Sequence, residues 1–555
     1  MTSLLRQARR WAAQDPDSET RTELEGIIEG ASLGFASAWQ ELHSRFDTRL
    51  EFGTAGLRGE LGGGPNRMNR VLVAQAAGGL AAYVRTKQPD DASVVIGYDG
   101  RKNSEVFARD TAEIMAGAGV RAILLPRMLP TPLLAFAVRH LKASAGVMVT
   151  ASHNPARDNG YKVYLGGADG GSQIVPPADG EIAAHIERVA RHRIDQLPRS
   201  SAYEIAGDEL VDEYVAATAA VAGELPEGVS LGVVYTPLHG VGLEVAERVL
   251  GAAGLPQPAV VAEQADPDPT FPTVAFPNPE EPGALDLAFV TAREVGAELV
   301  IANDPDADRL AVAIPDDTVE GGWRRLSGNE VGLLLGWAAA QEYAEGSRGR
   351  HARGALASSI VSSPGLAAIA EAWDVEHVET LTGFKWISRV PGLVYGYEEA
   401  LGYLVNPEAV HDKDGISAAT RFLSLALRWK AMGLTVADSI RRLGERIGFF
   451  ESAQISIRVT DPRRIGATMA RLRAAPPSRI GELKVAGVDD LAEGSETLPA
   501  ADILRYRLVD GSRVMVRPSG TEPKLKAYLD VRGDTAEEAY ARLAALDTAV
   551  RELLS

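Results

Sequence analysis

The chain has 555 residues, 45% of them hydrophobic and 24% charged, and its 57 basic and 75 acidic side chains leave a formal net charge of −18. That length exceeds what a single hydrophobic core accommodates and predicts roughly 3 to 5 domains. The acidic balance argues against a nucleic-acid or anionic-membrane partner. The absence of cysteine excludes a disulfide framework and thiol catalysis.

The N-terminal segment and the most apolar run bear on where the protein works. Residues 1–29 interleave arginines with acids and lack a continuous apolar core, so we expect one amphipathic helix and not a signal peptide. The apolar run at 331–340 is far shorter than the ~18 residues of a membrane span. We therefore expect a soluble, cytoplasmic protein.

Strand-like apolar runs recur along the chain, each ending in a Gly, Pro or Asp turn and followed by a helical pattern. They lie at 93–98, 122–126, 145–150, 231–235 and 298–302. This alternation is typical of α/β units, whose functional loops follow the carboxyl ends of the strands. Residues 453–459 and 513–516 instead alternate apolar with polar residues, which predicts antiparallel strands in a C-terminal α+β domain.

The first polar loop, TASHNPARDNGYKVY at 150–164, places a serine beside a histidine. Adjacent residues in an extended turn point apart, so Ser152 and His153 do not form a hydrolase dyad. The serine could instead carry a covalent group, with His153 and Lys162 reaching a shared pocket. The alternative is a side-chain-capped turn, since Asn-Pro and Asp-Asn-Gly are ordinary turn sequences.

The second loop, NDPDADR at 303–309, follows a predicted strand and alternates three aspartates. In an extended loop the carboxylates of Asp304, Asp306 and Asp308 would project to one side, where close like charges require a cation. The spacing excludes an EF-hand, and three hard oxygen ligands suit Mg²⁺ better than zinc. The alternative is a solvated acidic turn.

The third loop, YGYEEALGY at 395–403, sets two acids among aromatic residues and glycines. Carboxylates beside aromatic rings commonly hold sugar hydroxyls, although the same composition fits a plain turn. Nearby, the segment Thr382-Gly383-Phe384-Lys385 adds a possible cationic contact.

The fourth loop, RPSGTEPK at 517–524, lies between two strand patterns. Arg517 can contact a phosphate in a bidentate manner, and Ser519, Thr521 and the backbone around Gly520 supply further donors. The loop lacks the Walker pattern. A basic hairpin on the surface is the alternative.

Together with FGTAGLRG at 52–59, the segments TASHNP, NGYKVY, NDPDADR, GYEEALGY and RPSGTEPKLKAY, in this order, closely resemble the α-D-phosphohexomutase superfamily. The resemblance implies four domains around a central cleft: three related mixed α/β domains and a smaller, mobile C-terminal α+β domain. We place them at 1–197 (N-terminal helix and phosphoserine loop), 198–318 (metal-binding loop), 319–446 (sugar-binding loop) and 447–555 (phosphate-binding loop).

The resemblance also implies roles for individual residues. Ser152 would be phosphorylated and, with Asp304, Asp306 and Asp308, would complete a Mg²⁺ site. Lys162, Arg58 and His153 would assist at Ser152. The substrate-binding set would be Arg309, Gly383, Lys385, Glu398 and Glu399, and the phosphate-binding set would be Arg517, Ser519, Gly520 and Thr521.

We accordingly expect a mutase that interconverts hexose 1-phosphate and hexose 6-phosphate of glucose or mannose through a 1,6-bisphosphate, which would also serve as activator. Ala400 replaces the serine of a common family pattern, Gly-Glu-x-Ser-Gly, and the loop is closer to the branch with phosphoglucomutase and phosphopentomutase activities. Phosphopentomutase is therefore one alternative. A metal-dependent phosphatase or nucleotide-sugar transferase and a non-catalytic sensor are others, and the oligomeric state, monomer or dimer, stays open.

Overall fold

The computed structural model describes residues 2–346, 354–459, 461, 463–518 and 524–554. The chain divides into two compact units, one of Met1–Arg325 with Gly402–Leu427 and the other of Leu326–Leu401 with Arg428–Ser555. No helix in the described part of the chain is both long enough and apolar enough to cross a membrane.

The first unit begins with helices that pack on a mixed sheet. The sheet order is β1-β5-β4-β2-β3-β7, with β6 beside β5. The elements are α1 (Thr2–Ala12), α2 (Ser18–Ser32), α3 (Ala36–Phe46), β1 (Leu57–Glu60), α4 (Arg70–Lys87), β2 (Ser93–Tyr98), α5 (Ser104–Gly117), β3 (Arg121–Leu124), α6 (Thr131–His140), β4 (Ala145–Val149), β5 (Asp158–Leu165), β6 (Ser172–Gln173), α7 (Ala178–Val189) and β7 (Glu204–Ile205).

The expectation of a single N-terminal helix is wrong, because two helices replace it. The break falls at Asp15-Pro16-Asp17, where the Asp17 side chain accepts a hydrogen bond from the Glu19 N–H and caps α2. A side-chain oxygen at that position satisfies a backbone donor that the new helix cannot. Both helices contribute to the core of the first sheet, Trp11 and Leu24 among them.

A second sheet in the same unit has the order β12-β11-β10-β8-β9. Strands β8, β9 and β10 run parallel, and β11 and β12 are antiparallel additions. Its elements are α8 (Glu209–Ala219), β8 (Val233–Thr236), α9 (Gly242–Ala252), β9 (Ala259–Val260), α10 (Asp286–Val295), β10 (Leu299–Ala302), β11 (Ala311–Pro315) and β12 (Trp323–Arg325).

The second unit contains a parallel group of strands, β14-β13-β15. The elements of this stretch of chain are α11 (Gly328–Gly346), β13 (Ala355–Ser359), α12 (Gly365–Trp373), β14 (Glu376–Thr380), α13 (Phe384–Ile387), β15 (Leu393–Glu398), β16 (Gly402–Leu404), α14 (Gly415–Ala431) and α15 (Val436–Ile447). Strand β16 and most of α14 belong to the first unit.

An antiparallel sheet of order β17-β22-β21-β20-β19-β18 completes the second unit. Its elements are β17 (Phe449–Arg458), α16 (Arg463–Ala474), β18 (Arg479–Ile480), β19 (Leu483–Asp490), β20 (Leu504–Leu508), β21 (Arg513–Pro518), β22 (Lys524–Gly533) and α17 (Ala536–Leu554). The antiparallel C-terminal region is confirmed. The predicted strands are all present with ends displaced by up to four residues, and β2 has the predicted bounds.

Candidate active site

The metal-binding candidates lie in the tight loop between β10 and β11. Asp304, Asp306 and Asp308 are fully buried, and one carboxylate oxygen from each lies within 4.8 Å of the others. The loop is a turn and not the extended segment we expected, since Ala307 has a φ of 54° and its N–H donates to the Asp304 carbonyl at 2.8 Å. The three carboxylates converge because the chain turns at Ala307, and not because the aspartates alternate along an extended segment.

Two buried lysines neutralise part of this charge. Lys162 Nζ donates to Asp306 Oδ2 at 2.7 Å and to Asp308 Oδ2 at 2.9 Å, and Lys413 Nζ lies 2.7 Å from Asp308 Oδ2. Burial and the neighbouring carboxylates of Asp308 and Asp306 raise the pKa of Asp304 well above its ordinary value. The two lysines therefore contact Asp306 and Asp308, whereas the charged form of Asp304 is disfavoured.

Two carboxylate oxygens of this group have no hydrogen-bond donor among the described residues, and they indicate which ligand the three aspartates would bind. The Oδ1 atoms of Asp306 and Asp308 are buried, and no described residue donates a hydrogen bond to either. Buried polar atoms are ordinarily paired, and hard carboxylate oxygens at this spacing are ligands of Mg²⁺ or a similar cation. The three aspartates therefore fit a divalent metal, and a solvated acidic turn is the wrong interpretation of this loop.

Thr131, the first residue of α6, contacts the loop of residues 303–309, here called the metal loop. Its Oγ1 donates to Asp306 Oδ2 at 2.6 Å, and its N–H donates to the Asp306 carbonyl at 2.9 Å. Partners of this kind orient metal ligands. Sequence reasoning missed Thr131, because it lies 175 positions from Asp306.

Ser152 follows β4 and faces the metal loop. It is 2% exposed, and its Oγ donates to Asp304 Oδ2 at 2.8 Å. Its φ is 52°, in the left-handed region, and its N–H donates to Thr150 Oγ1 at 2.8 Å. The serine is thus held at the carboxylates in a conformation that few non-glycine residues adopt.

His153 lies next to the Ser152 hydroxyl, with Nδ1 at 3.2 Å from Oγ. Burial, together with the charges of Arg309 and Arg58, lowers the pKa of His153 well below its ordinary value. The imidazole is therefore neutral near pH 7 and can accept or donate a proton.

Arg58 and Lys162 come from paired strands, β1 and β5, in which Arg58 lies opposite Gly160. Arg58 Nη1 donates to Asn154 Oδ1 at 3.2 Å, within the serine loop. The capped-turn interpretation of Asp158-Asn159-Gly160 is wrong, because those residues begin β5. The strand pairing places Arg58 beside the serine loop and directs Lys162 to the aspartates.

Arg101 organises the serine loop and was missed from the sequence. Its guanidinium donates to the carbonyls of Ser152 at 2.5 Å, Asn154 at 2.6 Å, Pro155 at 2.8 Å and Asp158 at 3.1 Å. It is 4% exposed. Nothing in its sequence surroundings distinguishes this arginine from an ordinary turn residue, because the four carbonyls that it holds lie more than 50 positions away.

Two further contacts fix the Arg101 guanidinium. Its Nε lies 3.4 Å from Asp99 Oδ2, and its central carbon lies 4.9 Å from the centre of the Phe271 ring. Asp99 also accepts from Thr150 Oγ1 at 2.6 Å, the hydroxyl that receives the Ser152 N–H. The network joins β2, β4 and a loop after β9.

Lys413 is a third residue that sequence reasoning missed. Burial alone would lower its pKa, but Asp308 and Asp412 outweigh burial and raise it, so the ammonium stays charged. The signal was present in His411-Asp-Lys-Asp-Gly415, a charged run between a strand and a buried helix. Asp414 accepts from the Ile416 and Ser417 N–H groups at the start of α14, which fixes the loop that carries Lys413.

Arg309 ends the metal loop. Its N–H donates to Asp304 Oδ1 at 3.0 Å, and its Nη1 lies 3.4 Å from Glu280 Oε2. Its guanidinium is thus part of the charged group around Asp304.

In the second unit, the predicted sugar-binding carboxylates have different surroundings. Glu398 Oε1 accepts from the Gly383 N–H at 2.5 Å, and Gly383 has a φ of 112°, which favours glycine. Glu399 Oε2 accepts from the Ser359 and Ser362 hydroxyls, each at 3.1 Å. Glu398 therefore lies at the glycine turn, whereas Glu399 is held by two serines.

The aromatic residues around these acids do not form a sugar platform. Tyr395 and Tyr397 are fully buried and stack on each other with ring centres 6.2 Å apart. Their hydroxyls donate to the Gly332 carbonyl and to Asn329. The alternation of β15 directs both rings into the core, so the sugar-binding prediction concerns the carboxylates of Glu398 and Glu399 and not these rings. Lys385 lies 5.9 Å from the Trp386 ring centre.

Arg517 lies in β21, where Nη1 donates to Thr382 Oγ1 at 2.7 Å. The pair joins the segment 382–385 to the fourth predicted loop within the second unit. The other predicted phosphate-binding residues, Ser519, Gly520 and Thr521, lie outside the described residues.

Family comparisons match this arrangement along most of the chain. Models for phosphoglucomutase/phosphomannomutase alpha/beta/alpha domains I, II and III match residues 49–193, 212–318 and 327–443. The C-terminal domain of the same family matches residues 455–546. The chain therefore belongs to the phosphoglucomutase/phosphomannomutase family, a class of phosphotransferring sugar-phosphate mutases, and the predicted four-domain architecture is confirmed.

Curated relatives carry several substrate names. A probable phosphomannomutase of Haemophilus influenzae is 56% identical over 88% of this chain and 98% of its own length. The phosphoribomutase of Saccharomyces cerevisiae is 36% identical over 95% of this chain and 93% of its own. Human phosphopentomutase is 34% identical over 94% and 90%, respectively. These relatives establish a mutase of this type and leave the sugar open.

Solved structures share the fold at lower identity. A phosphoglucomutase/phosphomannomutase family protein of Burkholderia thailandensis superposes with a TM-score of 0.68 at 21% identity, over 91% of this chain and 97% of the other. Parafusin, a phosphoglucomutase of Paramecium, gives 0.67 at 17% identity, over 91% and 95%. At such identities the likeness concerns the fold alone.

Proposed function

We propose that this mutase interconverts the 1- and 6-phosphates of glucose or mannose through a phosphorylated Ser152 and a sugar 1,6-bisphosphate. The observation that carries the proposal is the 2.8 Å hydrogen bond from Ser152 Oγ to Asp304, beside two buried carboxylate oxygens to which no described residue donates. A serine that only capped a turn would have no reason to face three buried aspartates.

Asp304, Asp306 and Asp308 would hold Mg²⁺ together with an oxygen of the Ser152 phosphoryl group. The cation would neutralise the charge that develops on the phosphoryl oxygens during transfer. The chain contributes an arrangement of ligands in place before the metal arrives, with Thr131 and Lys162 holding Asp306 at 2.6 and 2.7 Å.

The proposed reaction is a relay of two transfers. In the first, the bond between phosphorus and Ser152 Oγ breaks as phosphorus bonds to the free hydroxyl oxygen of a sugar monophosphate; that hydroxyl gives up its proton and Oγ ends protonated. The bisphosphate then reverses its orientation. In the second, its other phosphoryl group returns to Oγ, which loses its proton, and the sugar oxygen left behind takes one.

Three side chains would act at the serine. Lys162 and Arg58 would stabilise charge that moves onto and off Oγ, because each is a cation fixed beside the serine loop. His153, neutral and 3.2 Å from Oγ, would hold or pass the proton.

By resemblance to the family, the other predicted residues would recognise the rest of the substrate. Glu398, with Glu399 behind it, would accept hydrogen bonds from sugar hydroxyls, near Gly383 and Lys385. Arg517 would bind the phosphate that does not react, with Ser519, Gly520 and Thr521. Arg309 of the first unit would contact the substrate beside the metal loop.

Pentose phosphates are the second candidate substrates. The phosphoribomutase and phosphopentomutase relatives cover nearly the whole chain. Ala400 also lacks the hydroxyl of the serine common in this loop, and a lost hydrogen bond of about 1 kcal/mol is too small to exclude a sugar. We propose hexose phosphates first because the relative with 56% identity is named a probable phosphomannomutase.

The test is ³¹P NMR of the protein with Mg²⁺ and a trace of sugar bisphosphate, offered glucose 1-phosphate, mannose 1-phosphate and ribose 1-phosphate separately. We expect a hexose 1-phosphate signal to convert to that of its 6-phosphate, faster with added bisphosphate. Faster conversion of ribose 1-phosphate would favour pentose phosphates as the substrates. Release of inorganic phosphate without any isomerised sugar phosphate would contradict the proposed mutase reaction.

The Ser152→Ala variant completes the test. It should fold normally and lose turnover, whereas Ser44→Ala, at an exposed helical serine, should keep full activity. Full activity in Ser152→Ala would exclude the phosphoserine.

A further inference from the structure

An ionic network in the second unit, here called the Glu379 latch, consists of Glu379, Arg505, Arg513 and Asp530, of which Arg513 and Asp530 are buried. Arg513 Nη1 and Arg505 Nη1 donate to the two oxygens of Glu379, each at 2.8 Å. Arg513 Nε donates to Asp530 Oδ2 at 2.7 Å, and Ser452 Oγ donates to the other oxygen of Asp530 at 2.6 Å. The latch joins β14 to the antiparallel C-terminal sheet.

The charges in the latch are matched to one another. The Arg513 side chain is 10% exposed and that of Asp530 is 2% exposed. Burial would raise the pKa of Glu379, but Arg513 and Arg505 outweigh it and lower the pKa below its ordinary value. Because each charge has an opposite partner and further hydrogen bonds, the network tolerates burial.

The seam beside the latch is apolar. Side chains from the two sides of this junction form one buried cluster: Ile360, Val361, Leu381, Leu491, Leu498, Ile503, Met515 and Tyr528. Arg513 also donates to the Ser362 carbonyl, next to this cluster. The contact between the β14 segment and the C-terminal sheet thus combines apolar packing with ion pairs. The ion pairs are directional, so they fix which residues of the two segments face each other.

The latch lies on the same two chain segments as the proposed phosphate contact. On strand β21, Arg513, Met515 and Arg517 alternate and so share one face. On the facing segment, Thr382 comes three residues after Glu379. Arg513 meets Glu379, Met515 enters the seam, and Arg517 Nη1 reaches Thr382 Oγ1 at 2.7 Å.

We propose that Glu379 and Arg513 are positioning residues that set Arg517 beside Thr382 and so preassemble the site for the non-reacting phosphate; this inference rests on the proposed function. Arg517 need not be ordered at the moment of binding, which lowers the entropic cost of capturing the phosphate. Loss of the latch should therefore weaken sugar-phosphate binding and leave the chemistry at Ser152 unchanged.

The experiment compares Glu379→Gln, Arg505→Gln and Arg517→Lys, with Arg507→Gln as matched control. Arg507 lies on β20 and pairs with Asp489, but its side chain is 60% exposed and outside the latch. Binding of glucose 6-phosphate is measured by calorimetry, together with KM, kcat and the slow hydrolysis of phosphorylated Ser152 without sugar. Circular dichroism confirms that each variant folds.

We expect Glu379→Gln and Arg517→Lys each to weaken binding and raise KM about tenfold, equivalent to about 1.4 kcal/mol. Arg505→Gln should have a smaller effect in the same direction, and it decides the question if Glu379→Gln does not fold. Phosphoserine hydrolysis should stay within about twofold of wild type in Glu379→Gln, Arg505→Gln and Arg507→Gln.

The outcomes separate the two proposals. If Arg517→Lys weakens binding while Glu379→Gln and Arg505→Gln behave like Arg507→Gln, the latch is purely structural and the inference is overturned. If Arg517→Lys binds glucose 6-phosphate as wild type does, Arg517 is not a phosphate ligand. That result would contradict the role of Arg517 in the proposed function, and with it the role of the latch. If hydrolysis of phosphorylated Ser152 changes together with KM in Glu379→Gln, the substitution does not act by positioning Arg517, and the inference is overturned.

Discussion

Ser152 donates a hydrogen bond of 2.8 Å to Asp304, which lies 152 positions later in the chain. The two residues follow the carboxyl ends of strands in two different sheets, β4 and β10. Loops at such ends are where α/β folds place their chemistry. The contact joins a serine in a left-handed conformation to a carboxylate whose pKa is raised by burial and by its neighbours.

The first prediction concerns the metal. Asp306→Asn keeps the size of the side chain and removes one charged ligand, and Thr131→Val removes the hydroxyl that orients it at 2.6 Å. We expect Thr131→Val to bind Mg²⁺ about 10- to 100-fold more weakly, the usual effect of losing such a partner, and Asp306→Asn to bind it more weakly still. Calorimetric titration with MgCl₂ measures both. The exposed Asp317→Asn serves as control, and wild-type affinity in Asp306→Asn would exclude this site.

The second prediction concerns Arg101, whose guanidinium holds four carbonyls of the serine loop. Lysine keeps the charge but lacks the planar fork, so Arg101→Lys should let Ser152 shift. We expect kcat to fall about 100-fold, as misplacement of a reacting group by about 1 Å can cause, with KM within about threefold. Arg109→Lys, at an exposed arginine paired with Glu105, is the control. An equal change in both parameters would indicate a general structural defect.

The sequence was sufficient for features that depend on local pattern. The strand at 93–98 and the three aspartates were predictable because apolar runs and clustered like charges are physical signals in themselves. The N-terminal break also has a local cause, because Pro16 and the capping residue Asp17 lie at the break itself. Burial of Tyr395 and Tyr397 was not predictable, because aromatic residues beside acids suit a sugar-binding loop and a core strand equally well.

Residues that act through backbone atoms were not predictable. Arg101 and Thr131 contact groups more than 50 and 170 positions away, respectively. Their partners are set by how the sheets pack, and neither residue lies in a distinctive composition. The convergence of the three carboxylates required the left-handed φ of Ala307, which sequence favours only weakly at alanine. Long-range packing, then, decides the support around the site.

The third prediction concerns Gly56, in the segment FGTAGLRG. Its φ is 72°, and a Cβ there would lie 1.9 Å from the Tyr161 carbonyl oxygen, one residue before Lys162. Gly56→Ala should destabilise the fold by several kcal/mol, because the backbones of this turn and of β5 must separate. Gly34→Ala is the matched control: its φ is 90° and nothing lies within 4 Å of the added Cβ, so only strain of about 1–2 kcal/mol is expected. Urea unfolding measures both, and equal losses would contradict the close contact.

The fourth prediction concerns pH and Asp414, a buried carboxyl that accepts from Tyr214 Oη at 3.0 Å and from the Ile416 and Ser417 N–H groups. Burial raises the pKa of Asp414 to about 6 from 3.8. The folded protein therefore holds this proton more tightly than the unfolded chain. The free energy of unfolding should therefore increase as pH falls from about 6 to about 4. Protonation of Asp414 should account for about 3 kcal/mol of that increase at most.

Asp414→Asn isolates this effect. The amide oxygen can still accept from the two N–H groups, and the amide nitrogen can donate to the Tyr214 hydroxyl, but nothing titrates. The stability of Asp414→Asn relative to wild type should therefore rise between pH 4 and pH 7, as the wild-type carboxyl ionises at a cost. Asp90→Asn, at an exposed turn, corrects for the loss of one negative charge. Parallel stability curves for Asp414→Asn and wild type would show that Asp414 ionises in the folded protein as readily as in the unfolded chain.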